Sequence, residues 1–277
     1  MAVSTPTSFE SALKSWRKQR GLSQLALSLA SDVSQRHLSF LESGRAQPSR
    51  EMILRLAAVL EVPLRDQNQL LTAAGFAPVF AESDLSTPEL APVRQAIDFM
   101  LRQQEPYPAM VVDRYWHFLE GNQAAQRLFS WLIEPEALMP FCSPSSQVNL
   151  MKAMLHPQGL RPVVANWDAI APLLIRRVHR EALTAGEDSF SQALFQELLS
   201  YPDVADCWHQ KTTEIWQAPI LTVAFSKDQQ TMSFFSTIAT LGTPYDITLQ
   251  ELRIECFFPA DAATDALLKQ HLDATGE

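Results

Sequence analysis

Cysteine is scarce in this chain. Cys142, Cys207 and Cys256 share no CxxC spacing. An odd, scattered set suits the reduced thiols of a cytoplasmic protein and excludes a disulfide frame or a zinc site. Buried, inert thiols are the expectation. Glycine is scarce too, with eight in 277 residues. No GxGxxG, P-loop or GxSxG occurs, so neither a phosphate-cradling loop nor a nucleophile elbow is provided for. The six histidines (His37, His117, His156, His179, His209 and His271) form no i,i+4 pair and no HExxH, which leaves metal ligation without support. Asp203, Asp206 and His209 lie close together but have no partner nucleophile, and read as flanks of a short surface helix. These gaps argue against an enzyme. No run of eighteen apolar residues is present, so no membrane span is expected. MAVSTPTSFE lacks a basic and then apolar run, so no signal peptide is expected.

What is present can build a sizeable core. The chain is 47% hydrophobic, and its length suggests two domains. A net charge of −9 does not by itself suggest nucleic acid. The charge is unevenly placed, however. Residues 1–75 hold nine Lys and Arg against six Asp and Glu, a net of +3, and the remainder holds 13 against 25, a net of −12. A basic front end supplies sequence-independent attraction to phosphates. The acidic remainder is repelled by the same polyanion.

Within that front end, GLSQLALSLASDVSQRHLSFLESGRAQP at 21–48 reads as helix, tight turn, helix, stop. Ser23 is a good N-cap, its hydroxyl accepting from free N–H groups of the next turn. Leu22, Leu25, Ala26 and Leu29 fall on one predicted inward face. Ser31-Asp32 breaks the helix, Val33 plugs the gap between two helices, and Ser34 caps the second. Leu38 and Leu41 point inward at i and i+3. Gln35, Arg36, His37 and Ser39 are left outward. Gly44 stops the helix, because glycine enters the left-handed region cheaply. Long donors and acceptors at a helix N-terminus suit the major groove, where each base pair shows its own donor and acceptor pattern. Arg36 suits guanine and Gln35 suits adenine. The plain alternative is a helical hairpin with a solvated face, but turn, caps and polar face agree on the first reading.

This stretch resembles the phage-repressor/Cro-type, or XRE, helix-turn-helix family. The matching positions are Ser23-Gln24, Ala30, Val33-Ser34, Leu38-Ser39, Glu42, Gly44 and Pro48. The resemblance implies an all-α domain of five helices over 8–75, with the third helix in the groove. It implies that Gln24 bonds a phosphate, that Gln35, Arg36, His37 and Ser39 meet base edges, that Arg45 and Arg50 touch the backbone, and that Ser34 also belongs to the DNA-binding set.

Flanking segments complete a five-helix set. Phe9–Arg20 turns Leu13 and Trp16 inward. Ser49 caps a fourth helix through Ile53, Leu56, Ala57 and Leu60, and Pro63 starts a fifth. Residues 76–104 read as a linker and connecting helix. In that helix Leu90, Val93, Ile97, Met100 and Leu101 make an apolar stripe, suited either to dimerisation or to covering a sheet. From Tyr107 the texture changes. AMVVD and WHFLE are two strand-like runs divided by Arg114-Tyr115. Asn122 caps a helix through Ala125, Leu128 and Phe129. Helices are then predicted over 144–155, from Val163 to about Ala185, and from Phe190 to Leu199. Strands follow at 215–225, 232–241 and 249–258, and Asp261 opens a last helix. Two strands, several helices and three strands fit an antiparallel sheet with helices on one face, an α+β domain.

YPAMVVDRYWHFLEGNQAA, with Asp113, Trp116 and Asn122, resembles the start of a PAS-like domain. Together with FFSTIATLGTPYDITLQELRIECFFPAD at 234–261 it is similar to the MmyB-like ligand-binding domain found behind XRE helix-turn-helix domains, over 105–272. The resemblance implies an apolar pocket and a fatty-acid-like ligand. Trp116, Phe118, Phe129, Trp131, Trp167, Phe225 and Phe234 are the aromatic candidates to line it, although a solid core would use such residues equally well. Arg176, Arg177 and Arg180 lie on one helix. Neighbours there point about 100° apart, so both Arg176 and Arg177 cannot face one pocket. Arg177 is the candidate for a ligand carboxylate, against the alternative of a solvated face. The whole then reads as a cytoplasmic one-component transcriptional regulator. It would act as a homodimer on double-stranded operator DNA, tuned by a small apolar ligand, with no certain cofactor. A flavin- or haem-binding PAS sensor, with His117 or His156 as the haem ligand, and a ligand-free dimerisation module are the alternatives.

Overall fold

The structure is a computed structural model that describes residues 8–184, 189–209 and 220–273. These fall into two compact units. One takes residues up to Ser83 together with Thr243–Gln250, and the other takes the rest.

The first unit is built on α1 (Phe9–Gln19), α2 (Gln24–Ser31), α3 (Gln35–Glu42), α4 (Arg50–Val59) and α5 (Leu64–Ala73). Three serines start helices. Ser23 Oγ accepts from Ala26 N at 3.0 Å, Ser34 Oγ from His37 N at 3.2 Å, and Ser49 Oγ from Met52 N at 3.2 Å. Asp32 ends α2 in the left-handed region at φ 53°, and Gly44 follows α3 at φ 70°. Arg20 ends α4 from outside, its Nε donating to Leu60 O at 2.7 Å, where orphan carbonyls favour a cation. The core gathers Leu13, Trp16, Leu27, Val33, Leu38, Leu41, Ile53, Leu56 and Leu71. One expected face is corrected. Leu25 is 52% exposed and Leu29 76%, while Leu27, Ser28 and Ser31 are buried. An eight-residue helix with leucine all round offers two faces of similar apolarity, and Ser28 and Ser31 go inward by bonding Leu25 O and Leu27 O of their own helix.

A distant segment completes this unit. Leu64 N, at the start of α5, donates to Gln250 Oε1 at 2.7 Å across 186 positions. Pro63 precedes it and forms no side-chain cap. Ile247 N donates to Ala81 O at 2.8 Å. Residues Ile247–Glu251 form a short helix, α13, rather than the start of a strand. Asp246 starts it by accepting from Leu249 N, which sets a helical turn before the apolar run.

The second unit holds a five-stranded antiparallel sheet with strand order β2-β1-β5-β4-β3. Its strands are β1 (Ala109–Val112), β2 (Phe118–Gly121), β3 (Val223–Lys227), β4 (Gln230–Ala239) and β5 (Arg253–Pro259). Residues 215–219 of the expected third strand lie outside the described residues. The helices are α6 (Ala91–Gln103), α7 (Gln123–Leu132), α8 (Pro135–Leu138), α9 (Leu150–Leu155), α10 (Trp167–Thr184), α11 (Ser189–Leu199), α12 (Val204–His209) and α14 (Ala262–Asp273). The helix expected over 144–155 is shorter, because Asn149 caps it from the middle by accepting from Lys152 N at 3.1 Å. In α6, Ile97 and Leu101 are buried within this unit, while Phe99 and Met100 are exposed.

Two polar residues pin the β1–β2 hairpin. Asp113 Oδ1 accepts from Tyr115 N and His117 N, each at 2.8 Å. Asn122 is buried, and its side chain bonds four backbone groups. Its Oδ1 accepts from Ala109 N and Ala125 N, and its Nδ2 donates to Leu101 O and Tyr107 O. One amide thereby joins α6, β1 and α7. Among the described residues no helix is long and apolar enough to cross a membrane.

Candidate nucleic-acid interface and ligand cavity

The first site is the outer face of α3 and its surroundings. Leu38 and Leu41 are fully buried and fix the helix on the core. Opposite them, Ser34, Gln35 and Arg36 are exposed, and His37 and Ser39 are half-buried. The Arg36 guanidinium lies 5.4 Å from the Phe40 ring centroid, so an aromatic face steadies an otherwise mobile side chain. Arg45 and Arg50 are exposed beyond the end of α3. Gln24 opens α2, and its Nε2 donates to Glu42 Oε2 at 2.8 Å, leaving a second amide hydrogen for an outside acceptor.

Glu42 was not among the expected site residues, yet it organises them. Its carboxylate takes Arg17 Nε at 2.5 Å and Nη2 at 2.8 Å, a two-pronged ion pair between α1 and α3. Arg17 Nη1 also donates to Leu22 O, tying down the approach to α2. Burial alone would push the Glu42 carboxyl up. The hydrogen bonds from Arg17 and Gln24 and the Arg17 and Lys14 charges outweigh it and hold the group below its ordinary value. One buried acid thus sets α1, α2 and α3 against one another behind the exposed tips.

The second site is a cavity of about 130 Å³ in the second unit. Its sheet wall is Met110, Phe225, Phe234, Ser236, Glu255 and Phe257, and its helical wall includes Leu128, Phe129, Met151, Met154, Ile170 and Leu174. Trp116 and Arg177 line one corner. Of the aromatic candidates, Trp116, Phe129, Phe225 and Phe234 line this cavity. Phe118, Trp131 and Trp167 do not: Phe118 packs edge-on against Phe129 at 5.8 Å, Trp131 lines a separate surface cleft with Met232 and Leu268, and Trp167 lies under the Arg161 guanidinium at 4.4 Å. Neither His117 nor His156 is on the wall, and His117 Nδ1 sits 2.8 Å from Asp113 Oδ2.

Trp116 anchors the charged corner. It is 1% exposed and holds φ at 67°, a conformation that costs a bulky residue roughly 1–3 kcal/mol and marks strained functional positions. Its Nε1 donates to Glu181 Oε2 at 2.7 Å, and the guanidinium carbons of Arg177 and Arg253 lie 4.2 and 4.9 Å from its ring. Arg253 Nη1 donates to Glu181 Oε1 at 2.9 Å, with Arg177 Nε 3.6 Å from the same oxygen. Arg177 therefore faces the cavity and not only solvent. Burial pulls its pKa down, opposed by the Glu255 and Glu181 charges. Glu255 was not anticipated. The phase of β5 was a usable signal, since Arg253, Glu255 and Phe257 share one face at period two. Burial pushes the Glu255 carboxyl above its ordinary range, against the Ser236 hydrogen bond and the Arg177 and Arg253 charges. Burial likewise pushes the Cys207 and Cys256 thiols up, which keeps them protonated and unreactive.

The described residues thus carry two candidate sites, a capped helix pair with an exposed polar face and an apolar chamber with one charged corner. Residues 93–270 match the family model of the MmyB-like transcription regulator ligand binding domain, and residues 13–67 match a helix-turn-helix model. The chain belongs to the MmyB-like transcription regulator family. No curated protein matches it. Among solved structures it is similar to an RNA-binding light-oxygen-voltage receptor, at 13% identity and a TM-score of 0.26 over 96% of this chain. The chain spans 62% of that receptor's length. A likeness at that level carries no argument about fold or function.

Proposed function

We propose that the protein is a one-component regulator that binds operator DNA as a homodimer and responds to a small apolar, fatty-acid-like ligand held in the cavity. In this reading Gln35, Arg36, His37 and Ser39 enter the major groove, and Gln24, Ser34, Arg45 and Arg50 hold the phosphates. The observation that carries it is the first turn of α3, whose polar side is open while Leu38 and Leu41 lock the opposite side. A single helix pair reads few base pairs. Two copies spaced by about 34–36 Å gain affinity and register together. The cavity supports the ligand half of the reading. An apolar hole of about 150 Å³ admits a benzene-sized guest, and Met151 and Met154 on this wall can repack around a longer chain. The ligand acts by binding one dimer geometry better than another.

The test uses fluorescence anisotropy on an operator selected from random duplexes. Arg36→Ala is expected to lose about 1–3 kcal/mol of specific binding and to relax one base position. Wild-type binding is expected to weaken steeply with salt as phosphate contacts release counterions. Unchanged affinity and selectivity in the variant would remove Arg36 from the interface. Light scattering on the same samples reads the dimer directly, and a monomer on DNA would refute that part alone. Solvent extraction of the purified protein, followed by mass spectrometry, reads the guest.

A further inference from the structure

The charged corner of the cavity holds more than the arginine a carboxylate guest would want. Glu255 is 7% exposed and lies on the cavity wall beside Arg177. Ser236 Oγ of β4 donates to its Oε1 at 2.6 Å. Met110, its partner on β1, and Ile238, its partner on β4, bring no charge. The charged groups facing it are Arg177 and Glu181 from α10 and Arg253 from its own strand. Two guanidiniums thus already balance two carboxylates before any guest enters. No other lysine, arginine or histidine stands on the described cavity wall.

We propose that Glu255 makes the cavity read the charge on a guest's head group: a neutral head that hydrogen-bonds enters as it is, whereas a carboxylate head enters only together with one proton. The proposal rests on the apolar-guest reading of this cavity. A guest carboxylate is a third negative charge in a corner whose two guanidiniums already face two carboxylates, and like charges set side by side favour protonation of one of them. The proton is held between Glu255 and the guest, and the buried Glu255 is the ready site for it. Above the pH at which Glu255 of the empty cavity ionises, each further pH unit lowers affinity for a carboxylate guest about tenfold. An alcohol or a primary amide of the same chain length shows no such slope.

Isothermal titration calorimetry on the full chain decides this, with octanoate, octan-1-ol and octanamide as probes. The range runs from about pH 6 to about pH 10, where the guest's own carboxyl stays ionised. Octanoate affinity is expected to fall by about tenfold per pH unit in the upper part of the range. Octan-1-ol and octanamide are expected to stay level and to outbind octanoate there. In Glu255→Gln the octanoate slope is expected to vanish, and a circular-dichroism melting curve on the same sample reports that the variant is folded. Octanoate binding that ignores pH in the wild type overturns the proposal whether or not the variant folds. The same slope persisting in a folded Glu255→Gln overturns the assignment to Glu255. Wild-type protein that binds octan-1-ol but shows no octanoate slope removes the head-group proposal alone, whereas failure to bind any of the three removes the apolar-guest reading and this proposal with it.

Discussion

Replacing Glu42 by alanine removes three hydrogen bonds behind the exposed face of α3 in one step. Arg17 contributes two of them, at 2.5 and 2.8 Å, and Gln24 the third, at 2.8 Å. The Arg17 side chain is 11% exposed and that of Glu42 3%, so the orphaned guanidinium has little water to turn to. Breaking one side of a buried pair costs about 3–5 kcal/mol. Arg17 retains its bond to Leu22 O at 2.8 Å, which places the expected loss near the lower end, at about 3 kcal/mol. Hydrogen exchange by mass spectrometry on the whole chain reads peptides of α1 to α3 separately from those of the second unit. Their protection is expected to fall roughly a hundredfold in Glu42→Ala. Arg17→Ala is expected to cost less, because a carboxylate keeping Gln24 can take up a proton. The double variant is expected to fall short of the sum of the two by about 2 kcal/mol. The pH dependence has a fixed sign. The folded Glu42 carboxyl is held below its unfolded value, so its contribution is present in full above the ordinary carboxylate range and is lost as pH falls through the depressed value. Glu42→Ala is expected to flatten that acid limb. Additive single and double variants, within about 0.5 kcal/mol, would show that the pair does not act as one unit and would refute the reasoning.

Asn122→Ala is expected to destabilise the second unit by about 3 kcal/mol, since two buried amides and two carbonyls lose one shared partner; Asn122→Asp is expected to restore only the two accepting bonds, and calorimetric melting curves that match wild type would contradict both. Gln250→Ala is expected to cost about 1 kcal/mol in the first unit, with faster exchange at the Leu64 amide. Gln250→Glu keeps the acceptor and adds a charge that suits a helix N-terminus, so protection at Leu64 should return. No change at that amide in Gln250→Ala would mean that it finds another acceptor.

The helix starts were readable because their chemistry is local. Ser23, Ser34, Ser49 and Asn122 each bond an amide three residues on, a distance that sequence spacing encodes. The inward face of α2 was not readable, since leucine on both sides lets tertiary packing choose and it chose Leu27. The run from Leu249 is apolar enough for a strand, and only Asp246 at its head turns it into helix. Arg17 and Glu42 stand 25 residues apart, with nothing in either neighbourhood to pair them. The aromatic residues of the second unit were visible as a set, but a void is a property of how side chains fail to meet. Composition therefore could not separate Trp116, which lines the cavity, from Trp131, which does not.

The amide at Leu64 waits for an acceptor 186 positions downstream. At roughly 5–20 residues per second, a ribosome needs about 10–40 s to deliver Gln250 after α5 has emerged. During that interval the leading helices can assemble on their own core, but the fifth starts with an open end. The unit begun first is therefore left incomplete until Gln250 emerges, and a chain truncated before Thr243 would carry that fraying end permanently.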